Sequence, residues 1–355
     1  MTVFCLASAF STKTVQTKQN DYLLFNKAPK NDYAYNAFVL LPGENMKPSS
    51  SISQGPNDVD SEEKEQGKED IEVDEDALPS RAAAIHEEIR HDGEKELERD
   101  GMALLWSAIA AGLLMGASLM AKGIFQVHLD GVPGAYLLEN LGYTFGFVIV
   151  IMARQQLFTE NTVTAVLPVM HKPTTSNLGL LLRLWGIVLL GNLIGTAFAA
   201  LAFNEMPIFD EATRQAFTDI SMKVMEHTPG EMFANAVISG WIIATMVWMF
   251  PYAGAAKLFV IVMMTWLVAL GDLAHIVVGS VEVLYLVFNG SVPWTAFLWP
   301  FAVPTLLGNL TGGTLIFALI SHAQIRNDMG EAAQAKAKAE RRKAEKKRQQ
   351  QQEER

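Results

Sequence analysis

The chain has 355 residues, half of them hydrophobic, and a formal net charge of −10. Its one cysteine, Cys5, excludes an intrachain disulfide, and the acidic balance offers no footprint for a nucleic acid. The averages conceal two compositions: residues 51–100 carry eighteen Asp/Glu against six Lys/Arg, whereas 102–320 is a succession of long apolar runs. A bilayer core of roughly 30 Å takes about 20 apolar residues per helix, so the sequence reads as an integral membrane protein.

Residues 1–79 are polar, rich in Ser, Asn and Asp, and have neither helical nor strand period. They are expected to be a disordered acidic leader. The start, MTVFCLASAFS, has an apolar patch without a basic n-region and reads poorly as a signal peptide. Ser80 is placed to cap an amphipathic helix over 80–100, in which Ile85, Ile89 and Leu97 recur at multiples of four. It reads as a cytoplasmic helix leading into the membrane, with a lid over a pore mouth as the sharper alternative.

Six apolar segments follow. They are 102–122, 137–153 (halted by Arg154-Gln155-Gln156), 178–203, 233–250, 257–288 and 294–320. The fifth is too long for one straight span and is expected to break around Gly271-Asp272. Together they make a pore domain over 101–322. The tail, 323–355, is basic and reads as a soluble helix; from 321 onward it has ten Lys/Arg against six Asp/Glu. The positive-inside rule puts that tail in the cytoplasm, with Lys172 and Lys257 on the same side and the acidic 204–230 loop outside. Six spans then place both termini in the cytoplasm.

An internal repeat sets the architecture. LLGNLIGT (189–196) matches LLGNLTGG (306–313) at an offset of 117. The same offset lays Leu157-Phe158-Thr159, beside the first interruption, on Ala274-His275-Ile276, beside the second. The pattern implies a duplicated three-span unit. With three spans per unit the copies are inverted, and such folds place their sites where broken helices meet. The expectation is an all-α membrane protein: six transmembrane helices in an inverted 3+3 repeat, with helices 2 and 5 broken at about 154–162 and 271–280. Unpaired backbone at membrane depth is tolerated only inside protein or along a water-filled path. Glycines four apart, at 112/116, 142/146, 191/195 and 308/312, predict close helix contacts.

The segments QLFTEN (156–161), GNLIGT (191–196), Val247-Trp248, Lys257, His275 and PTLLGNLTGG (304–313) together resemble the formate/nitrite transporter family, in order and spacing, over roughly 80–322. Within it the chain is most similar to a divergent bacterial inner-membrane branch. The resemblance implies an aquaporin-like protomer in a homopentamer, embedded in the inner membrane. One pore per protomer would pass a small monovalent anion of the formate, nitrite or acetate class, or its conjugate acid. It implies no cofactor, no metal and no catalytic residue.

An ionisable residue at membrane depth marks a pathway by default. His275, with an ordinary pKa of roughly 6.5, is therefore the candidate proton donor to a passing anion; a core histidine bonded to freed backbone is the plainer alternative. The resemblance adds Thr159, a hydroxyl beside the histidine. It maps pore constrictions onto Tyr143, Phe147, Leu157, Phe158, Val268 and Val278, and an anion-attracting role onto Lys257 at the cytoplasmic vestibule. Helix packing and a snorkelling lysine are the respective alternatives. Arg154, Gln156, Glu160, Ala274, Gly279 and Gly240 depart from the family pattern, the acid expected at 274 being absent. Arg154 and Asp272 are expected either to pair and brace the two breaks or, unpaired, to leave Arg154 as a fixed anion-binding charge. Glu282 is placed near the outer surface and outside the candidate site, and Arg183 at the lipid headgroups.

Rival functions fare less well. Asn-Pro, the start of the paired motif of water channels, does not occur. The membrane portion has no H-E-x-x-H and no G-x-S-x-G, so no enzyme is expected. A transport-inactive regulator on the same fold remains as the alternative.

Overall fold

The computed structural model describes residues 80–330, with Gln334 and Lys338. The expected leader, 1–79, and the basic tail beyond 330 lie outside the described residues. All regular structure among the described residues is helical. In chain order the helices are α1 (Arg81–Glu98), α2 (Gly101–His128), α3 (Ala135–Leu141), α4 (Thr144–Met152), α5 (Val166–His171) and α6 (Thr175–Glu205). Then come α7 (Glu211–Met225), α8 (Pro229–Ala253), α9 (Lys257–Leu270), α10 (Ile276–Phe288) and α11 (Trp294–Gly330). The last is interrupted at Trp299, whose backbone is extended at φ −145°, ψ 120°.

Five stretches are long and apolar enough to cross a membrane: α2, α3–α4, α6, α8–α9 and α11. Helix α10 is apolar but has only 13 residues. The bundle is apolar outside as well as inside. Trp106, Leu182, Phe198 and Phe259 are each more than half exposed on the protomer, while Asn192, Thr196, Thr265, Ser280 and Asn309 are buried. That distribution suits a surface solvated by lipid or by other apolar faces.

Two helix pairs form the frame, α2 against α6 and α8 against α11. Small residues let the backbones touch. A Cβ added at Gly112 would lie 2.1 Å from the Asn192 carbonyl oxygen, and one at Gly195 2.1 Å from that of Ile109. In the other pair, a Cβ at Gly312 would lie 2.0 Å from the Val237 carbonyl oxygen. These are the glycine motifs read from the sequence, acting as helix contacts.

Two further elements cap opposite ends of the bundle. Helix α7 lies in the segment read from sequence as the acidic loop 204–230; Asp210 caps it and Phe217 and Ile220 bury its apolar face. At the other end Ser80 caps α1, accepting from Ala83 N at 3.2 Å. Arg90 pairs with Glu87 and Glu94 on the solvent side of α1, while Ala84, Ile89 and Leu97 pack inward. His86 is buried, 3.1 Å from His322 Nδ1 and edge-on to Trp248. Burial, aided by the neighbouring His322, lowers the His86 pKa from 6.5 to about 4.

Two predictions follow from this packing. Gly312→Ala should lower the melting temperature of the detergent-solubilised protein, by the equivalent of about 1–3 kcal/mol of overpacking. Gly186→Ala, at an exposed position with nothing within 4 Å of the new methyl, should be neutral or stabilising by up to about 1 kcal/mol. Docked α1 holds His86 neutral, so its attachment is complete above pH 6.5 and weakens as pH falls from 6.5 toward about 4. Hydrogen exchange of the α1 amides should accelerate between pH 7 and pH 5 relative to α2, and His86→Phe should flatten that dependence.

Candidate pore site at two helix breaks

The breaks are built alike. At the end of α4, Arg154 adopts φ 53°; its N–H donates to Ile151 O at 3.1 Å, and Gln155 N donates to Val150 O at 3.0 Å. At the end of α9, Asp272 adopts φ 45°; its N–H donates to Ala269 O at 3.1 Å, and Leu273 N donates to Val268 O at 3.1 Å. Both are Schellman endings with a left-handed residue in the place glycine usually takes. The structural offset between the breaks is therefore 118, one more than the offset read from the paired sequence motifs. The second break is also shorter than expected, because α10 resumes at Ile276.

Two buried asparagines satisfy the interrupted backbone. Asn192 Oδ1 accepts from Phe158 N at 2.9 Å, and its Nδ2 donates to Gln156 O and Ala108 O at 2.8 Å each. Asn309 repeats the device: Oδ1 accepts from Ile276 N at 2.9 Å, and Nδ2 donates to Ala236 O at 2.9 Å and Ala274 O at 3.2 Å. Each carboxamide ties one break to the opposite helix of its frame pair. They sit in the sequence motifs GNLIGT and GNLTGG, whose repetition was legible while the role of the Asn was not.

His275 stands where the breaks meet. It is the N-cap of α10, and its Nδ1 accepts from Val278 N at 3.3 Å. Its Nε2 lies 2.8 Å from Thr159 Oγ1, from the other break. A backbone N–H can only donate, so Nδ1 is unprotonated in this arrangement. The neutral ring then carries its proton on Nε2 and donates it to Thr159. The Phe147 ring meets the imidazole edge-on at 5.0 Å between centroids, and Tyr143 packs on Phe147 at 5.4 Å. Leu157, Phe158, Val268 and Val278 are all buried in the same core. The structure thus brings His275, Thr159, Phe147 and Tyr143 into one contact chain, and the other four constriction candidates are buried in the same apolar core.

The charged candidates lie elsewhere. Lys257 Nζ sits 4.3 Å from the centre of the Phe250 ring and within electrostatic reach of Glu160. Arg154 is exposed. The expected pair of Arg154 with Asp272 is not formed: the ion pairs among the described residues are all within α1 and its end. The two breaks lie toward opposite ends of α2. The first lies beside Ser107, whose Oγ donates to Gln155 Oε1 and accepts from Gln156 N, and beside Glu96 of α1, which accepts from Gln156 Nε2 at 2.8 Å. Asp272 instead lines a cavity with Lys122 and accepts from Tyr136 OH at 3.4 Å. Ser107 and Lys122 are fifteen residues apart on α2, about 22 Å. Arg183 donates to the Arg99 carbonyl at 3.2 Å.

That cavity, of about 410 Å³, opens between α7 and the second break. His275, Tyr143 and Glu282 line its depth, all buried; Lys223, Glu226 and Asp272 line it at exposed positions. Glu282, left outside the candidate site by the sequence reading, therefore lines the same cavity as His275. The signal was available: His275, Gly279 and Glu282 are spaced by four and three, one face of a helix.

Asn309→Ala would leave the buried Ile276 N–H without a partner, while the Ala274 carbonyl keeps Ser239 Oγ, at a cost of about 1–3 kcal/mol. Asn192→Ala should cost a similar amount for the same reason. Thermal unfolding in detergent checks both, and Asn204→Ala, at a partly exposed site, should change stability far less.

The formate/nitrite transporter family model matches residues 83–323. The chain is 75% identical to inner membrane protein YfdC of Escherichia coli (strain K12) over 286 residues, covering 80% of this chain and 92% of that protein. Its fold is similar to that of a pentameric formate channel with formate bound (TM-score 0.51, 20% identity, 62% of this chain and 95% of the other). It is also similar to an FNT family ion channel (TM-score 0.55, 18% identity, 68% and 96%). With a family model spanning both frame pairs and both breaks, the chain belongs to the formate/nitrite transporter family.

Proposed function

We propose that the protein carries a small monovalent anion, or its conjugate weak acid, across a bacterial inner membrane, with the proton handled at His275. The observation that carries this reading is the Thr159–His275 hydrogen bond at 2.8 Å, joining the two helix breaks inside an aromatic and aliphatic collar. A bare anion entering such a collar loses its water at a cost that favours neutralisation. The Nε2–H and the Thr159 hydroxyl are donors that a carboxylate or nitrite oxygen can use in place of water. When the ring takes a second proton on Nδ1, it gives up the Val278 cap bond and can release the Nε2 proton to the anion. The acid then crosses the dry zone uncharged and ionises beyond it.

In this reading the membrane portion is six spans in two inverted halves, α2 to α6 and α8 to α11, with α4–α5 and α9–α10 as the broken members. The equivalent Asn192 and Asn309 bonds and the two left-handed helix ends support it. Tyr143, Phe147, Leu157, Phe158, Val268 and Val278 form the collar. Lys257 draws anions to the α1 side, which faces the cytoplasm with both termini, and Arg154 adds positive charge at that face. The apolar outer surface serves lipid and a homopentamer interface, as the pentameric formate channel of similar fold suggests.

Proteoliposome flux of formate, nitrite and acetate tests the reading, with wild type beside His275→Ala and Thr159→Val. Saturable, selective flux that falls at least about tenfold in both variants is the expected result, with size-exclusion profiles unchanged. Folded wild type that moves none of these acids would overturn it and favour a regulatory role for the same fold.

A further inference from the structure

The cavity on the α7 side holds a group for which the transport reading has no use. Glu282 is 6% exposed and lines the cavity two turns beyond His275. It forms no salt bridge and no hydrogen bond among the described residues. Gly279 stands between the two on that face. A Cβ there would lie 2.7 Å from the Phe301 ring and 3.8 Å from Glu282 Oε2, so glycine lets that ring close on the face shared by histidine and carboxyl. A buried carboxylate without a partner is costly, and an ionised one would repel an anion passing it. A carboxyl that gains and loses a proton meets both objections.

The surroundings agree. Lys122 of α2 lies within electrostatic reach of Glu282, though not within 4 Å of it. Tyr143 faces the cavity from between α3 and α4. Helix α7 contributes Lys223 and Val224, Glu226 and His227 follow it, and the break contributes Asp272 and His275. Phe301 of α11 closes the side without a titratable group. Seven residues on a helix separate Glu282 from His275 by about 10 Å. That is too far for direct transfer, and the cavity has room for several bridging waters.

We propose that Glu282 is the proton-exchange group of the α7-side vestibule, supplying His275 with the proton that the transported anion takes. The inference rests on the transport reading above. The carboxyl O–H bond breaks and a proton passes along cavity water to His275 Nδ1, displacing the Val278 N–H. The imidazolium releases its Nε2 proton to Thr159, which passes its own hydroxyl proton to the anion, forming the O–H bond of the neutral acid. Solvent at the mouth reprotonates Glu282, and exchange of the ring proton with water restores the Val278 cap. For acid arriving from the far side the steps run in reverse, and Glu282 takes the proton outward.

The test uses the full chain in proteoliposomes, with radiolabelled formate and a trapped pH dye, comparing wild type, Glu282→Gln and Glu282→Asp. Glu282→Gln should reduce formate-linked proton movement at least about tenfold and flatten the pH profile of uptake, while Glu282→Asp recovers part of both. A size-exclusion profile and thermal melt matching wild type show that Glu282→Gln is folded and assembled. A Glu282→Gln protein with wild-type proton movement and pH profile overturns the proposal and leaves the transport reading intact. Infrared difference spectra give a readout independent of flux. A protonated-carboxyl band that shifts in D2O near neutral pH and is missing in Glu282→Gln is expected. Its absence from wild type would overturn the proposal even if formate moves.

Discussion

Backbone that leaves a helix at membrane depth has no water to bond with, and this requirement organises the protein. Two carboxamides meet it. Asn192 and Asn309 each accept one N–H from the start of a resumed segment and return two donors to carbonyls, one at the break and one on the helix packed beside it. The close helix contacts are what bring those carbonyls within reach. A Cβ at Gly112 would strike the Asn192 backbone, and one at Gly240 would lie 2.5 Å from the Asn309 carbonyl oxygen. Glycine packing, asparagine bonding and the broken helices are thus one construction made twice. The place where its two copies meet is where His275 reaches Thr159.

Much of this was readable before any coordinates. The repeat, the break positions, the close glycine contacts and the pairing of His275 with Thr159 follow from spacing, hydropathy and the family motifs. What was not readable has physical causes. The expected Arg154–Asp272 pair assumed that equivalent residues converge, but the two breaks lie toward opposite ends of α2. Their shared trait is a left-handed backbone, which charge does not announce; Asp tolerates it better than Arg. Helix α7 hid in an acidic stretch because its buried face consists of a few residues, Phe217 and Ile220 among them. The offset of 117 came from the asparagine helices, and the breaks differ from it by one residue because turn lengths are not fixed by helix period.

The surroundings of the two breaks differ in kind. On the α1 side the breaks meet a polar lattice: Gln156 bonds to Glu96 and to Asn161, and Trp185 donates to the Asn161 carbonyl. Those donors and acceptors are matched in pairs, which rigidifies that part of the site. On the α7 side the cavity is open and its buried carboxyl is unmatched. Matched groups hold shape, and unmatched ones are available to a cargo or a proton. The difference between the two breaks persists although their helix ends and asparagine bonds are alike.

The departures from the family pattern acquire a common explanation. Ala274 stands where the family resemblance places an acid, yet its carbonyl is anchored by Ser239 and by Asn309, so the backbone there is held without help from a charged side chain. Gly240 fits against Asn309, where any larger residue would part the helices. Gly279 replaces a polar side chain and admits the Phe301 ring beside Glu282. Read together, these changes move acidity from the residue before the histidine to the carboxyl seven residues after it. An acid at 274 would stand next to the Thr159 bond and compete with an anion for the donors of His275. At 282 it faces the wide cavity, where water can carry a proton and the anion need not touch it. In the proposed transport reading, the acid that the resemblance places before the histidine is replaced by the carboxyl of Glu282 on the same face of α10.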